Sequence, residues 1–183
     1  MSRISLVDTA TAAGDRKALL DQIQGAFGAT PNMFRVVANS PSALRSMWGS
    51  FGALGGGVLG AALGEQIAVA IANRNACGYC LAAHTVLGRK AGVSEDALAA
   101  AQAGESPDPR VAAALRFALK IVDERGHVTD ADVKALRVAG FDDEHIVEIL
   151  AHVALNLFTN YVNVAFAVPV DFPEVRLRPV PRQ

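Results

Sequence analysis

The apolar residues of this chain recur every three or four positions between glycines, prolines and potential capping residues, which is the pattern of amphipathic helices. In RKALLDQIQGAF, for example, one face carries Leu19, Leu20, Ile23 and Phe27. No stretch shows a convincing alternation of apolar and polar residues, the pattern that predicts a β-strand. The fold class is therefore predicted to be all-α, with about eight helices.

Helix breakers and capping residues set the bounds of the other helical segments. We expect a short helical segment in NMFRVVANS and longer ones at residues 41–56, 64–75, 77–92, 94–104, 109–126, 129–140 and 142–169. The side chains that can cap the helices following them are Ser40, Ser94, Thr129 and either Asp142 or Asp143.

The segment GEQIAVAIANRN is apolar almost all round, which predicts a helix buried on most sides. Glu65 therefore needs an explanation, because a carboxylate is costly to bury alone. One explanation is a place at the helix N-terminus, where free N–H groups favour a negative charge. The other is a functional role together with the residues that follow.

Composition limits the possible architectures and partners. A chain of 183 residues, 51% hydrophobic, is long enough for one core, and we expect one domain spanning residues 1–183. Only 19% of the residues are charged, so we expect some apolar surface to be buried in a homo-oligomer. The net charge of −1, without a basic cluster, implies neither a nucleic-acid nor a membrane partner. No signal peptide or long apolar run is present in the sequence, which predicts a cytoplasmic location.

The only two cysteines, Cys77 and Cys80, form a C-x-x-C at the predicted start of a helix, and His84 follows Cys80 by one turn. In a reducing compartment such a pair is more often catalytic or metal-binding than a permanent cross-link. The N–H groups of a helix start lower the pKa of a thiol, and an imidazole one turn away can take its proton. This pattern favours thiol redox chemistry, in which Cys80 attacks an electrophilic oxygen and Cys77 then closes a disulfide. The reverse order, in which Cys77 attacks because it receives more of the helix dipole, stays open as the competitor.

The motif E-x11-C-x-x-C-x3-H in an alanine-rich helical chain resembles the AhpD-like alkylhydroperoxidases of the carboxymuconolactone decarboxylase superfamily. The resemblance is strongest over residues 60–92 and extends to TPNMFRVVANSPSALRSMWGSF and HVALNLFTNYVNVAFAVPVDFP. It implies the AhpD-like helical fold and a peroxidase that uses an external dithiol to reduce a hydroperoxide, with no cofactor and no metal. By this resemblance Cys80 is the peroxidatic cysteine, Cys77 the resolving one, and Glu65 with His84 a proton relay.

One position departs from the family pattern, because well-characterised members carry a histidine where this chain has Tyr79. A phenol with a pKa near 10 donates a hydrogen bond but is a poor base at pH 7. The departure therefore predicts a shorter proton relay and slower turnover.

Three alternatives stay open at this stage. Cys77, Cys80 and His84 could bind zinc with a fourth ligand from His127, His145 or His152. The superfamily also contains decarboxylases that act without a cysteine pair, and an oligomer whose buried thiols respond to oxidation without turnover would have the same pattern. Outside a zinc site, we expect His127 to be solvated and the polar residues of the last helix to lie in a core or interface, namely His145, His152, Asn156, Asn160 and Asn163.

Overall fold

Residues 2–179 are described by a computed structural model, and the all-α prediction is confirmed for them. The helices of this described part are α1 (Gly14–Phe27), α2 (Asn32–Val37), α3 (Pro41–Gly55), α4 (Gly60–Arg74), α5 (Gly78–Lys90), α6 (Glu95–Gln102), α7 (Pro109–Asp123), α8 (Asp130–Val138) and α9 (Asp143–Ala165). This is one helix more than the predicted number of about eight, and the additional helix is the short α2. No helix among these residues is long and apolar enough to cross a membrane.

Helix α4 lies at the centre of the fold and packs against α5, α6, α7 and α9. Every residue from Gln66 to Asn73 is buried, as expected for a helix without a polar face. The two residues before its first turn are bound to α9, because the Glu148 carboxylate accepts hydrogen bonds from Val58 N and Leu59 N, each at 2.9 Å. Helices α4 and α9 are thus joined at the same end of the molecule.

The predicted capping residues are confirmed at four helix starts. The side chains of Ser40, Ser94 and Asp142 each accept a backbone N–H from the first turn that follows. Thr129 forms a complete capping box with Asp132. These bonds satisfy N–H groups that a helix start leaves without partners, which explains why the bounds were readable from sequence.

The chain after α9 runs back in extended form across α2 and the start of α5. Asn32 anchors it, because its backbone N–H donates to Asp171 Oδ2 at 2.7 Å and its side chain donates to the carbonyl oxygen of Pro169 at 3.1 Å. Phe172 then packs edge-on against Tyr79, with ring centroids 5.6 Å apart. This C-terminal segment therefore covers the region of the two cysteines.

Candidate active site

The turn between α4 and α5 fixes the position of the two cysteines. Ala76 adopts a φ of 52°, in the left-handed region that residues other than glycine seldom occupy. The turn leaves Cys77 as the N-cap residue of α5, where its Sγ accepts a hydrogen bond from Cys80 N at 3.2 Å. Cys80 therefore lies in the first turn of α5, the placement that the C-x-x-C spacing predicted.

Cys77 and Cys80 are joined as a disulfide across this turn, with their Cα atoms 5.4 Å apart. That separation is within the range of roughly 4.4–6.8 Å that disulfides require. Both side chains are buried, with exposures of 1% and 2%. The backbone therefore suits the bonded pair, and a reagent can reach the sulfurs only through a cavity or after a movement of its walls.

His84 lies one turn beyond Cys80 on α5 and pairs with Glu65 of α4. The distance from His84 Nδ1 to Glu65 Oε2 is 2.8 Å, and the side chains are 11% and 21% exposed. Glu65 lies in the second turn of α4, which begins at Gly60, so its partner is the imidazole and not the free N–H groups of the helix start. The explanation of Glu65 as an N-terminal carboxylate is therefore wrong.

A small cavity brings Cys80 and His84 together. Its volume is about 30 Å³, and its other walls are mainly apolar, from Phe27, Phe34, Phe51, Leu87 and Phe172 among others. A space of this size holds a molecule comparable to water. The cavity therefore admits a very small reactant beside Cys80, and a larger one requires its walls to move.

A second cavity of about 120 Å³ shares His84, Phe51 and Thr159 with the first. It is also lined by Glu65, His152 and Asn156, so it is the more polar of the two. Glu65 and His84 both line this more polar cavity, and of the two only His84 also lines the cavity of Cys80.

His152 is a partly buried imidazole on the wall of this second cavity. Burial lowers its pKa below the ordinary value of 6.5, although the negative charges of Glu148 and Glu65 partly oppose that effect. Its Nε2 atom is 3.9 Å from Glu148 Oε1 and has no hydrogen-bond partner among residues 2–179. His152 is therefore neutral at pH 7.

Helix α9 also reaches the cysteines directly. Asn163 Nδ2 donates a hydrogen bond to Cys80 Sγ at 3.2 Å, and both side chains are buried. One turn earlier, Asn160 Oδ1 accepts a hydrogen bond from Asn75 Nδ2 at 3.1 Å. The prediction that the asparagines of this helix lie in a crowded interior is confirmed, but the contact with sulfur was not foreseen.

Tyr79 occupies the position of the family histidine, but its surroundings do not suit it to proton transfer. Its hydroxyl oxygen accepts the Met33 backbone N–H at 3.2 Å, linking α5 to α2. Burial, together with the nearby Asp171 carboxylate, raises the pKa of this phenol far above its ordinary value. Tyr79 therefore stays neutral and holds the wall of the cavity, and it cannot act as a base.

Four candidate residues thus come together: Cys77, Cys80, His84 and Glu65. His127 and His145 lie away from these four residues. His127 is exposed, and His145 Nδ1 lies 2.6 Å from Asp142 Oδ1 at the start of α9. Only His152 approaches the site. Among the described residues no group of three or more His, Cys, Asp or Glu side chains could hold a metal ion, so the predicted zinc alternative receives no support.

Sequence reasoning missed two contributors on α9, Asn163 and His152. Both lie on the buried side of a helix that is otherwise apolar, spaced with Asn156 and Asn160 at intervals of three or four residues. That polar stripe was visible in the sequence. Its direction could not be read, because it depends on how α9 packs against α4 and α5.

Comparison with known proteins gives a consistent result. Residues 41–124, from α3 to the end of α7, match the model of the carboxymuconolactone decarboxylase family. Among solved structures, an alkylhydroperoxidase AhpD core, an uncharacterized peroxidase-related protein from Ralstonia eutropha JMP134, has a TM-score of 0.82 and 28% identity over 93% of this chain and 92% of its own. An uncharacterized peroxidase-related protein from Silicibacter sp. TM1040 has a TM-score of 0.80 and 25% identity over 92% and 91%.

A further structural match is the debrominase Bmp8 in complex with 2,3,4-tribromopyrrole. Its TM-score is 0.79, with 19% identity over 92% of this chain and 91% of its own, a likeness that concerns the fold alone. No curated protein sequence matches this chain significantly. The chemistry of the site must therefore be argued from its residues.

Proposed function

Because the chain belongs to the AhpD-like branch of the carboxymuconolactone decarboxylase superfamily, we propose that it is a thiol-dependent peroxidase that reduces hydroperoxides at the expense of an external dithiol. Cys80 is the attacking cysteine and Cys77 the resolving one. Glu65 and His84 move the protons. No cofactor or metal takes part in this scheme.

The observation that carries the proposal is the cavity shared by Cys80 and His84, with Glu65 bonded to Nδ1 of the imidazole. A nucleophile, a base and a group that orients the base are thus arranged in sequence, which is the general form of an activated nucleophile. The disulfide geometry of Cys77 and Cys80 supplies the resolving step.

In the first step His84 takes the proton of the Cys80 thiol, and the resulting thiolate attacks the terminal oxygen of the hydroperoxide, so that the O–O bond breaks. Cys80 becomes a sulfenic acid, and the departing alkoxide or hydroxide takes a proton from His84. In the second step Cys77 attacks the Cys80 sulfur, forming the disulfide and releasing water. The dithiol then reduces the disulfide by thiol exchange, so that two electrons pass from dithiol to peroxide.

The opposite order of cysteines is the main competitor. Cys77 is the N-cap residue and accepts the N–H of Cys80, an arrangement that stabilises a thiolate on Cys77. Against this, Cys80 rather than Cys77 lines the cavity with His84. We therefore assign the attack to Cys80, and substitution of each cysteine by serine tests this assignment.

The test is peroxide consumption by the purified protein, supplied in turn with thioredoxin-like, lipoamide-type and small-molecule dithiols. Cys80→Ser should abolish peroxide reactivity. Cys77→Ser should allow one rapid attack that stalls as a sulfenic acid trapped by dimedone. A dimedone adduct on Cys77, together with a single burst of peroxide consumption in Cys80→Ser, would invert the assignment.

A non-enzymatic, redox-responsive protein is a second candidate, favoured by the burial of both cysteines. It predicts a disulfide that forms with excess oxidant but no catalytic consumption of peroxide with any dithiol. Decarboxylation is less well supported, because that chemistry needs neither cysteine.

A further inference from the structure

In the described part of the chain, Asn163 is the only side chain outside α5 that donates a hydrogen bond to a cysteine sulfur. Its Nδ2 donates to Cys80 Sγ at 3.2 Å, from a helix 83 positions away in sequence. Asn163 is 4% exposed and Cys80 is 2% exposed. Water therefore competes little with this contact, and in such surroundings a fixed donor has a larger effect on charge than it has at the surface.

A disulfide sulfur is a weak acceptor, whereas a thiolate is an anion that attracts N–H donors strongly. The contact should therefore gain most when the disulfide opens and negative charge gathers on Cys80. An amide is uncharged at every working pH, so Asn163 can act as this donor in all steps of a cycle.

The two cysteines are stabilised by different donors. Cys77 Sγ accepts the backbone N–H of Cys80 at the start of α5, and Cys80 Sγ accepts the amide of Asn163 from α9. The first donor belongs to any helix start that has a cysteine N-cap. The second depends on one residue, and so it is the element that can reverse the usual preference for the first cysteine of a C-x-x-C.

We propose that Asn163 is a thiolate-stabilising residue that makes Cys80, rather than Cys77, the more acidic thiol of the pair. The inference rests on the proposed function for its use in peroxide reduction, but the acidity itself is independent of any peroxide. When a dithiol opens the disulfide, its thiolate attacks Cys77, the S–S bond breaks, and the electron pair stays on Cys80 beside Asn163. The second thiol of the reductant then frees Cys77 from the mixed disulfide.

The acidity of Cys80 can be measured alone in a Cys77→Ser background, since the chain has only two cysteines. The pH dependence of thiolate absorbance and of iodoacetamide alkylation gives its pKa. Asn163→Leu removes the donor, and Asn163→Asp replaces it by a nearly isosteric group that carries negative charge. Asn160→Leu is the matched control, because Asn160 is equally buried on α9 but bonds Asn75.

Apart from the carboxylate that Asn163→Asp introduces, the titratable groups near Cys80 are the same in all these variants. They are Tyr79 and His84 on α5, Glu65 on α4, His152 on α9 and Asp171 behind Tyr79. A change confined to the Asn163 variants is therefore due to Asn163.

We expect Asn163→Leu to raise the pKa of Cys80 and Asn163→Asp to raise it further. The alkylation rate well below the pKa should fall about tenfold for each unit of the rise. In a Cys80→Ser background, Asn163→Leu should leave the pKa of Cys77 unchanged. Thermal melts identify any variant that does not fold, and the Asp variant carries the test if the Leu variant fails.

Equal Cys80 pKa values in the folded Asn163 variants, the Asn160 control and the parent would overturn the inference. So would an equal rise in both cysteines, which would indicate a general effect on the site. A selective rise without peroxide turnover in the wild type would uphold the role of Asn163 and reject the peroxidase proposal, so the two failures are distinguishable.

Discussion

The Glu65 carboxylate and the His84 imidazole face each other across the contact of α4 and α5, with Oε2 of one 2.8 Å from Nδ1 of the other. An ionised carboxylate can only accept, so Nδ1 is the donor of this hydrogen bond and Nε2 is the ring nitrogen that can exchange a proton with Cys80. The pair thus fixes both the orientation and the tautomer of the proposed base.

This relationship predicts that His84→Gln and Glu65→Leu lower peroxide turnover by about 10²–10⁴-fold, the usual cost of losing a general acid or base. Glu65→Gln should cost less, because an amide oxygen still accepts the Nδ1 proton. Steady-state peroxide consumption measures the effect. Mass spectrometry after mild oxidation should still show the loss of two hydrogens that marks the intramolecular disulfide, and intermolecular cross-links alone would contradict the scheme.

The Phe172 side chain forms part of the wall that covers Cys80, and a substitution can remove it. Its ring packs edge-on against Tyr79 and lines the cavity that Cys80 shares with His84. Phe172→Ala should therefore enlarge the cavity and speed the alkylation of Cys80 by bulky maleimides more than by iodoacetamide. The stability loss should be smaller than the roughly 3–5 kcal/mol of a fully buried phenylalanine, since this ring is only partly buried.

Val175→Ala is the matched control for this effect. Val175 lies in the same C-terminal segment but lines a pocket with Gln102, away from the cysteines. If its maleimide rate rises as much as that of Phe172→Ala, general loosening of the segment explains the result, and the specific role of the ring is rejected.

The helices and the C-x-x-C placement could be predicted from sequence because they depend on local chemistry. Ser40 and Thr129 cap helices with atoms a few residues away, and Cys77 and Cys80 are held by one helical turn. Asn163 could not be assigned, because its partner is 83 positions distant and is determined by how α9 packs. The same holds for Glu65, whose partner depended on where α4 begins.

Helix α9 exposes a stripe of large apolar side chains along its outer face. Its members, with their exposed fractions, are Val147 at 67%, Leu150 at 49%, Phe158 at 37%, Tyr161 at 59% and Val164 at 48%. Residues 149–170 include no Lys, Arg, Asp or Glu, so this face offers nothing to an oppositely charged partner and suits a second copy of the chain. We therefore expect the subunit contact of the predicted homo-oligomer to lie on this face of α9.

We expect light scattering to give a mass of more than one chain, and Tyr161→Lys to shift it towards the monomer. Val138→Lys is the control, since Val138 is 82% exposed on α8 and lies outside the stripe. A wild-type mass of one chain across a wide range of concentrations would reject self-association. Dissociation by both variants would place the contact elsewhere.

His152 should make the stability of the fold depend on pH. Because burial lowers its pKa, the folded protein binds this proton less readily than the unfolded chain, whose histidine has a pKa of about 6.5. The free energy of unfolding is therefore unaffected by this group well above pH 6.5. It falls as the pH drops below that value, by at most about 1.4 kcal/mol per pH unit for one proton, until the folded-state pKa is reached.

Denaturant unfolding at pH 8 and pH 5.5 tests this for the wild type, His152→Leu and His127→Asn. The loss between the two pH values should be smaller in His152→Leu, which keeps Glu148, Glu65 and His84, the charged or titratable groups around the site. His127→Asn should follow the wild type, because His127 is exposed and lies outside the site. An equal loss in wild type and His152→Leu would show that His152 accepts its proton in the folded protein, and that the cavity beside Glu65 is wetter than its geometry indicates.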